Sequence, residues 1–443
     1  MAAQQVDVVV IGAGISGIDA AHHLKHDSPG TSFVVLERRS SHGGTWDLMK
    51  YPGIRSDSDM FTFGYNFRPW PKAITIASGG EILEYLGDTI EESQLREHIM
   101  YDHTITTASW DSATARWTVA CENGASYSCK FIFGCTGYYN HEKGQEVPFP
   151  GREAFKGKIV HPQKWELESD EFQASGVRGK KVVVIGSGAT AVTLIPNIAA
   201  DLPGGGAAHV TMLQRSPSYI LTRSNVDEFA QQMLDEGVDP KVAHERIRMK
   251  QMEDGKRSQE QMAKRMKGMT MDQRQAAMKK LYLGMMRQAV GEGMSDEEFA
   301  KHFTPSYNPW EQRVCFCPDN DFYECIKRGE ASVATDEIEC FDETGILLKS
   351  GEHLEADIIV TATGLLLQEN APMNTMAVSV DGAPYVAADH ICYLDCMLTD
   401  VPNFIFVTGY FQASWTLKAD LIASCEFTSN LPLLKISGYI LTD

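Results

Sequence analysis

Two glycine fingerprints stand in one chain, each placed where a dinucleotide-binding βαβ unit puts it. The first is Gly12-Ala13-Gly14-Ile15-Ser16-Gly17, led by the β-branched run Val8-Val9-Val10-Ile11. The second is Gly186-Ser187-Gly188-Ala189-Thr190-Ala191, led by Val182-Val183-Val184-Ile185. Both run into apolar helical stretches, the context that separates a nucleotide loop from an ordinary glycine turn. Gly12 permits the tight turn, Gly14 lets backbone approach a pyrophosphate, and Gly17 lets helix and strand pack closely. Gly186 and Gly188 repeat the first two roles, and Ala191 is an accepted variant of the third.

One position beyond each loop separates the copies. The strand Phe33-Val34-Val35-Leu36 ends in Glu37. A carboxylate there accepts hydrogen bonds from both ribose hydroxyls and repels a 2′-phosphate. The matching strand, Val210-Thr211-Met212-Leu213, runs instead into Gln214-Arg215-Ser216. Arg215 offers a planar fork of donors suited to a phosphate, with Ser216 beside it. The chain is therefore expected to hold two dinucleotides, FAD at the first loop and NADPH at the second.

A length of 443 residues suggests two to three domains. The net charge of −19 argues against nucleic acid and anionic membrane surfaces as partners. No apolar run approaches the ~20 residues of a membrane span. With strand pattern from Val6, no signal peptide is expected. The cysteines begin only at Cys121 and form no CxxC pair, so a reduced, cytoplasmic setting is expected. Chemistry that needs a redox-active thiol pair beside a flavin is thereby disfavoured, and no metal is expected.

The expected fold class is α/β, with two Rossmann-like domains, the NADPH domain inserted in the FAD domain, and a helical insertion. Residues 1–150 and 355–443 are assigned to the FAD domain, and 151–354 to the NADPH domain. Three buried strands end in a Thr-Gly device, at Phe131–Gly137, Ile358–Gly364 and Phe404–Gly409, which fits an interrupted flavin domain. The helical insertion spans 225–300 and carries 11 of the 19 methionines. Methionine at helical spacing reads as plastic core; a cap over a substrate cavity is the functional alternative.

Between the two units lies Phe155-Lys156-Gly157-Lys158-Ile159-Val160-His161-Pro162-Gln163-Lys164-Trp165, an FxGxxxHxxxW pattern. It resembles the fingerprint of class B flavoprotein monooxygenases. Trp165 favours the type I Baeyer–Villiger branch, although Glu166 replaces the usual Pro or Asp. Gly43-Gly44-Thr45-Trp46 and the run from Tyr51 to Met60 match the same family. Gln214–Pro217, Tyr307–Arg313 and Ser414–Asp420 are similar to the subgroup that includes the ethionamide-activating monooxygenase. The resemblance covers residues 6 to about 421. Members of that subgroup usually continue for several tens of residues beyond the helix near Trp415, whereas residues 422–443 depart from their pattern.

The resemblance implies a C4a-peroxyflavin enzyme. NADPH reduces FAD, O₂ adds, and the peroxide attacks a ketone to give an ester or lactone, or oxidises a sulfide. Arg313 is implied as the fixed cation beside the peroxide, held from the flavin side by Asp57, with Asp59 as the neighbour that could be mistaken for it. FAD contacts are expected from Gly12, Gly14, Gly17, Glu37, Arg38, Gly44, Thr45, Trp46, Asp57 and Met60. NADPH contacts are expected from Gly186, Gly188, Ala191, Arg215 and Ser216. Phe155, Gly157, His161 and Trp165 are expected to link the domains, His161 as a structural residue rather than a proton carrier. Trp46 and Trp415 read equally as flavin-side or core residues, and Lys418 and Asp420 as exposed helix positions. Two other readings stay open. One is an N-hydroxylating or N/S-oxidising flavin monooxygenase. The other, resting on 422–443, is a truncated flavoprotein that acts only as an NADPH oxidase or not at all.

Overall fold

The computed structural model describes residues 3–165, 175–200, 205–312, 314–367, 373, 376–410 and 413–427. It builds one architecture twice. In the first unit Val8–Ile11 pairs in parallel with Phe33–Leu36 on one side and Phe131–Gly134 on the other. Side-chain alternation decides which layer each residue enters. Val8 and Val10 join Phe33, Val35 and Phe133 in the core under the helices Ile15–Asp27 and Gly79–Glu92. Val9 and Ile11 join Val34, Leu36 and Ile132 beneath an antiparallel meander of Ile105–Asp111, Arg116–Cys121 and Ser126–Cys129. A strand covered on both faces reads as an unbroken apolar run, as this one does.

The second unit repeats the plan. Lys181–Ile185 lies between His209–Gln214 and Ile358–Thr361. Val182 and Val184 face the core of the helix Ala189–Ala199, while Val183 and Ile185 face a smaller meander, Ile338–Phe341, Gly345–Leu348 and His353–Glu355. Lys158–Val160 closes the edge by pairing with Ile358–Val360. This pairing corrects the boundary set at 355. Ile358–Thr361 is hydrogen-bonded on both sides to the second sheet, so the chain leaves that unit only after Thr361. Of the three Thr-Gly strands, only Phe131–Gly134 and Phe404–Phe406 are neighbours in the first sheet.

The excursion forms four helices, Glu228–Asp235, Pro240–Arg265, Met271–Val290 and Asp296–Phe303. The side chains of Asp227, Asp239, Thr270 and Ser295 cap their N-termini. Methionine as plastic core holds for Met233 and Met286, which are buried, and fails for Met249, Met252, Met269, Met271 and Met285, which are exposed. The two middle helices are exposed over most of their length, so most of their methionines meet few core side chains. The terminal helix Thr416–Phe427 lies along Ile15–Asp27; of residues 422–443, on which the truncated reading rests, 428–443 lie outside the described residues. No helix among the described residues is long and apolar enough to cross a membrane.

Candidate functional site

Packing explains some of the fingerprint glycines and not others. Gly12 has a φ of +100°, and a Cβ there would stand 2.6 Å from the Cys135 carbonyl oxygen. A Cβ on Gly17 would lie 1.8 Å from the Gly12 carbonyl oxygen. The fold alone demands glycine at both. Gly14 is different: a Cβ would meet only Gly44, with its Cα 3.6 Å away. The Gly43 amide donates to the Ala13 carbonyl at 2.9 Å, which lays Gly43-Gly44-Thr45-Trp46 beside the loop. The helix Ile15–Asp27 starts at Gly14 with no side-chain cap. Two facing glycines at an uncapped helix N-terminus form a cradle that fits a pyrophosphate.

Glu37 closes this loop from the strand end. It is buried, and its carboxylate accepts from the amides of Ala13 at 2.7 Å and Arg39 at 2.9 Å. Burial pushes its carboxyl up from the usual range, and those two amides oppose the shift. Each oxygen retains a further acceptor position. Arg38 pairs with Glu142. Met60 is fully buried, and Trp46 meets the edge of Phe63 at 5.9 Å.

The second loop follows the same division. Gly186 has a φ of +121° and a Cβ there would sit 2.3 Å from the Ala362 carbonyl oxygen, whereas Gly188 faces nothing within 4 Å. Gly188 also begins its helix without a side-chain cap, and Ala191 is buried. Gln214 fills the position of the missing acid and is committed to the fold: its amide donates to the His302 carbonyl at 2.8 Å and Thr335 Oγ1 at 2.9 Å. Arg215 and Ser216, next in the chain, are exposed.

The units meet at the Tyr51-Pro52-Gly53 turn. Buried Tyr51 hydrogen-bonds Thr190 of the second fingerprint helix, and burial pushes its hydroxyl up to about 12. Arg55 pairs with Asp321 at 2.5 Å. His161 lies beside Tyr51 and Thr190. Its Nδ1 accepts from the Gln163 amide at 3.1 Å and its Nε2 reaches the Gly364 carbonyl at 3.0 Å. The ring is thereby a neutral Nε2–H tautomer with both nitrogens used by backbone, and burial lowers its pKa. Phe155 packs edge-on to Phe341, and a Cβ on Gly157 would strike the Asp357 carbonyl oxygen at 2.3 Å. Trp165 is half-buried against the second unit's core.

The two aspartates of the following loop separate clearly. Asp59 caps the turn Met60–Phe63, accepting from the amides of Phe61 and Thr62. Asp57 is exposed on the same loop. Arg313 lies outside the described residues. A cation that the sequence reading missed, Arg223, faces both aspartates. Burial lowers its pKa while Asp59 and Asp57 oppose, and its guanidinium lies 5.1 Å from the Phe316 ring centre. Its only signal is a basic residue ending the run Tyr219-Ile220-Leu221-Thr222, and 166 positions separate it from Asp57. A cavity of about 570 Å³ opens here, walled by Asp59 and Thr62, by Arg223, by Ile247 and Gln251 of the excursion, and by Leu417. Trp415 donates from Nε1 to Ser16 Oγ at 2.7 Å and stacks on Tyr138. Lys418 and Asp420 are not exposed as expected: Lys418 reaches Asp395 at 3.2 Å and Asp420 reaches His23 at 3.2 Å.

Comparison with known proteins agrees with this plan. Residues 6–301 match the model of the pyridine nucleotide-disulphide oxidoreductase family. An oxidized steroid monooxygenase bound to NADP superposes with a TM-score of 0.76 at 24% identity, over 96% of this chain and 85% of its own. A cyclohexanone monooxygenase bound to epsilon-caprolactone gives 0.76 at 22%, over 98% and 89%. Likeness at that identity shows the fold: the chain has the two-dinucleotide architecture of flavoprotein oxidoreductases. Sequence relatives are nearer. A probable FAD-binding monooxygenase, AlmA of Acinetobacter sp, is 45% identical over 424 residues, 95% of this chain and 80% of the relative. The FAD-containing monooxygenase EthA of Mycolicibacterium smegmatis is 43% identical over 423 residues, 95% and 81%. The chain belongs to this family of FAD-containing monooxygenases.

Proposed function

We propose that this flavin monooxygenase holds FAD at the first glycine loop and NADPH at the second, and inserts one oxygen atom of O₂ into ketones, forming esters or lactones, and into sulfides. The observation that carries the cofactor assignment is the pair Gly14 and Gly188. Packing requires glycine at Gly12, Gly17 and Gly186 but at neither of these two, so close approach of a ligand is their reason. Glu37 then suits a free ribose, and Arg215 with Ser216 a 2′-phosphate. The FAD unit takes residues 1–150 and the chain after Thr361, with the NADPH unit between.

Bound FAD, once reduced, supplies activated oxygen; the chain supplies position, charge and dryness. Gly44, Thr45, Trp46 and Met60 flank the flavin side of the first loop, with Arg38 at its rim. Arg313 provides a charge that no physiological pH removes, and Asp57 orients it. Arg223 adds a second, half-buried cation on the same aspartates. The 570 Å³ cavity, walled by both units, the excursion and the terminal helix, is the substrate's place. Phe155, Gly157, His161 and Trp165 set the crossing between the units. The test is to purify the chain with its flavin, bleach it with NADPH, and measure product per NADPH with a ketone and with a thioether. Near-stoichiometric ester formation is the expected result; hydrogen peroxide without product would reject oxygen insertion.

A further inference from the structure

Away from both glycine loops, three ligating side chains converge where the helix Ile15–Asp27 meets the helix Thr416–Phe427. Asp19 and His23 stand one turn apart on one helix face, and Asp420 reaches them from the other helix. One ligand atom from each lies within 4.8 Å of the other two. His23 Nε2 is 3.6 Å from Asp19 Oδ1 and 3.2 Å from Asp420 Oδ1. A tetrahedral centre with bonds of about 2.0–2.2 Å spaces its donors roughly 3.3–3.6 Å apart, close to the two separations from His23. On the far side of the ring, His23 Nδ1 is 2.6 Å from Asp27 Oδ2. Without a metal, Nε2–H donates to Asp420 Oδ1 at 3.2 Å; with one bound, Asp27 would keep the proton on Nδ1 and turn the Nε2 lone pair into the cluster, the arrangement that orients metal-binding histidines.

Asp19 supplies an independent observation. Its exposure is 0%, and neither carboxylate oxygen has a hydrogen-bond partner among the described residues. A buried carboxylate in that state is costly unless a proton or a cation neutralises it. His23 does not suffice, because three carboxylates surround one imidazole and its Nε2 lies nearer Asp420. Asn66 donates to the other Asp420 oxygen at 2.6 Å, which leaves Asp420 Oδ1 directed at the cluster. We propose that Asp19, His23 and Asp420 bind one zinc ion, which clasps the first fingerprint helix to the terminal helix. One nitrogen and two oxygens at tetrahedral spacing suit zinc, whereas calcium and magnesium ask for larger oxygen sets. Asp19 and His23 share a helical i, i+4 spacing, but Asp420 lies 397 residues beyond His23, so no sequence motif announces the site.

The experiment uses the full chain with its flavin bound, stripped with a chelator, re-dialysed against zinc chloride, and measured for zinc per chain and for melting temperature. Wild type should hold one zinc, and zinc should raise its melting temperature. Asp420→Asn and Asp19→Ser should keep their flavin, bind no zinc and melt identically with and without it. Asp27→Asn should bind zinc about 10–100-fold more weakly. Cobalt, in zinc's place, should give tetrahedral ligand-field bands to the red of the flavin absorption in wild type and, at higher cobalt, in Asp27→Asn, but not in Asp420→Asn or Asp19→Ser. Two outcomes overturn the proposal. One is a wild type that takes up no zinc, with Asp19→Ser more stable than wild type, the signature of a merely protonated acid. The other is equal zinc content in wild type and all three variants.

Discussion

The two glycine loops share a backbone plan and differ in where their selectivity is stored. In the first, Glu37 is buried and already holds the Ala13 amide, so the residue proposed to read the ribose is part of the loop's own architecture. In the second, the corresponding Gln214 is spent on His302 and Thr335, and on the proposed assignment the reading falls to Arg215 on the surface. A selector buried in the loop cannot be changed without disturbing the fold, whereas an exposed selector can.

The largest effects should come from filling the cradles. Gly14→Val adds bulk where only Gly44 stands near, so the chain should fold and purify nearly free of flavin. Gly188→Val should purify yellow and resist bleaching by NADPH. Gly17→Ala, with a Cβ 1.8 Å from a backbone oxygen, should instead fail to accumulate as folded protein. Flavin absorbance per chain decides this: a Gly14→Val variant with full flavin would make the first loop an ordinary turn.

Next in size is Arg313→Ala, which separates the two half-reactions that the two loops serve. NADPH should still bleach the flavin. Losing one preorganised charge contact costs ~2.7–4 kcal/mol, on the order of a hundred- to a thousand-fold in oxygen insertion. Product per NADPH should collapse and peroxide rise, with the ketone hit at least as hard as the thioether. An unchanged ratio with the ketone would return Arg313 to a structural role. Arg215→Ala is smaller and confined to the second loop. A charge-assisted contact of about 1.5–3 kcal/mol corresponds to a roughly ten- to hundredfold rise in KM for NADPH, with KM for NADH nearly unchanged. Equal losses for both nucleotides would remove the phosphate contact.

Much of this contrast is legible in the sequence because it is local. The strand-led loops, Glu37 and Arg215 all sit within short βαβ units, where spacing fixes geometry. What escapes is long-range. Ile358–Thr361 reads like a flavin-domain strand but joins the second sheet, since an apolar run does not state its partner. Arg223 and Asp57 meet only when the units close on each other. Exposed methionines such as Met252 match a buried helical stripe in pattern, and the exposure of their helices decides otherwise. Asp59 and Asp57 are alike in sequence and separate once the Met60–Phe63 turn is seen to need a cap.

The smallest effect sharpens the comparison from the acid side. At the rim of the first loop, burial lowers His141 to about 4, and Arg38 and Arg39 add to it by repulsion. At the crossing to the second unit, His161 is lowered by burial as well, and protonation would set a second proton against the Gln163 amide. An unfolded histidine titrates near its ordinary 6.5. Between that value and the folded one, the unfolded chain binds a proton that the folded chain refuses. Stability is therefore full above about pH 6.5 and declines as pH falls through the window. For His141 the loss is on the order of 1–2 kcal/mol near pH 5. His141→Leu should remove that share of the acid slope and leave the melting temperature near neutral pH little changed. His161→Asn should lower the slope less, since it also gives up a backbone acceptor. Thermal melts of the two variants and wild type across pH 5–8 decide this. If His141→Leu keeps the wild-type slope, the acid sensitivity belongs to other histidines that burial lowers, such as His22 and His244, and not to His141.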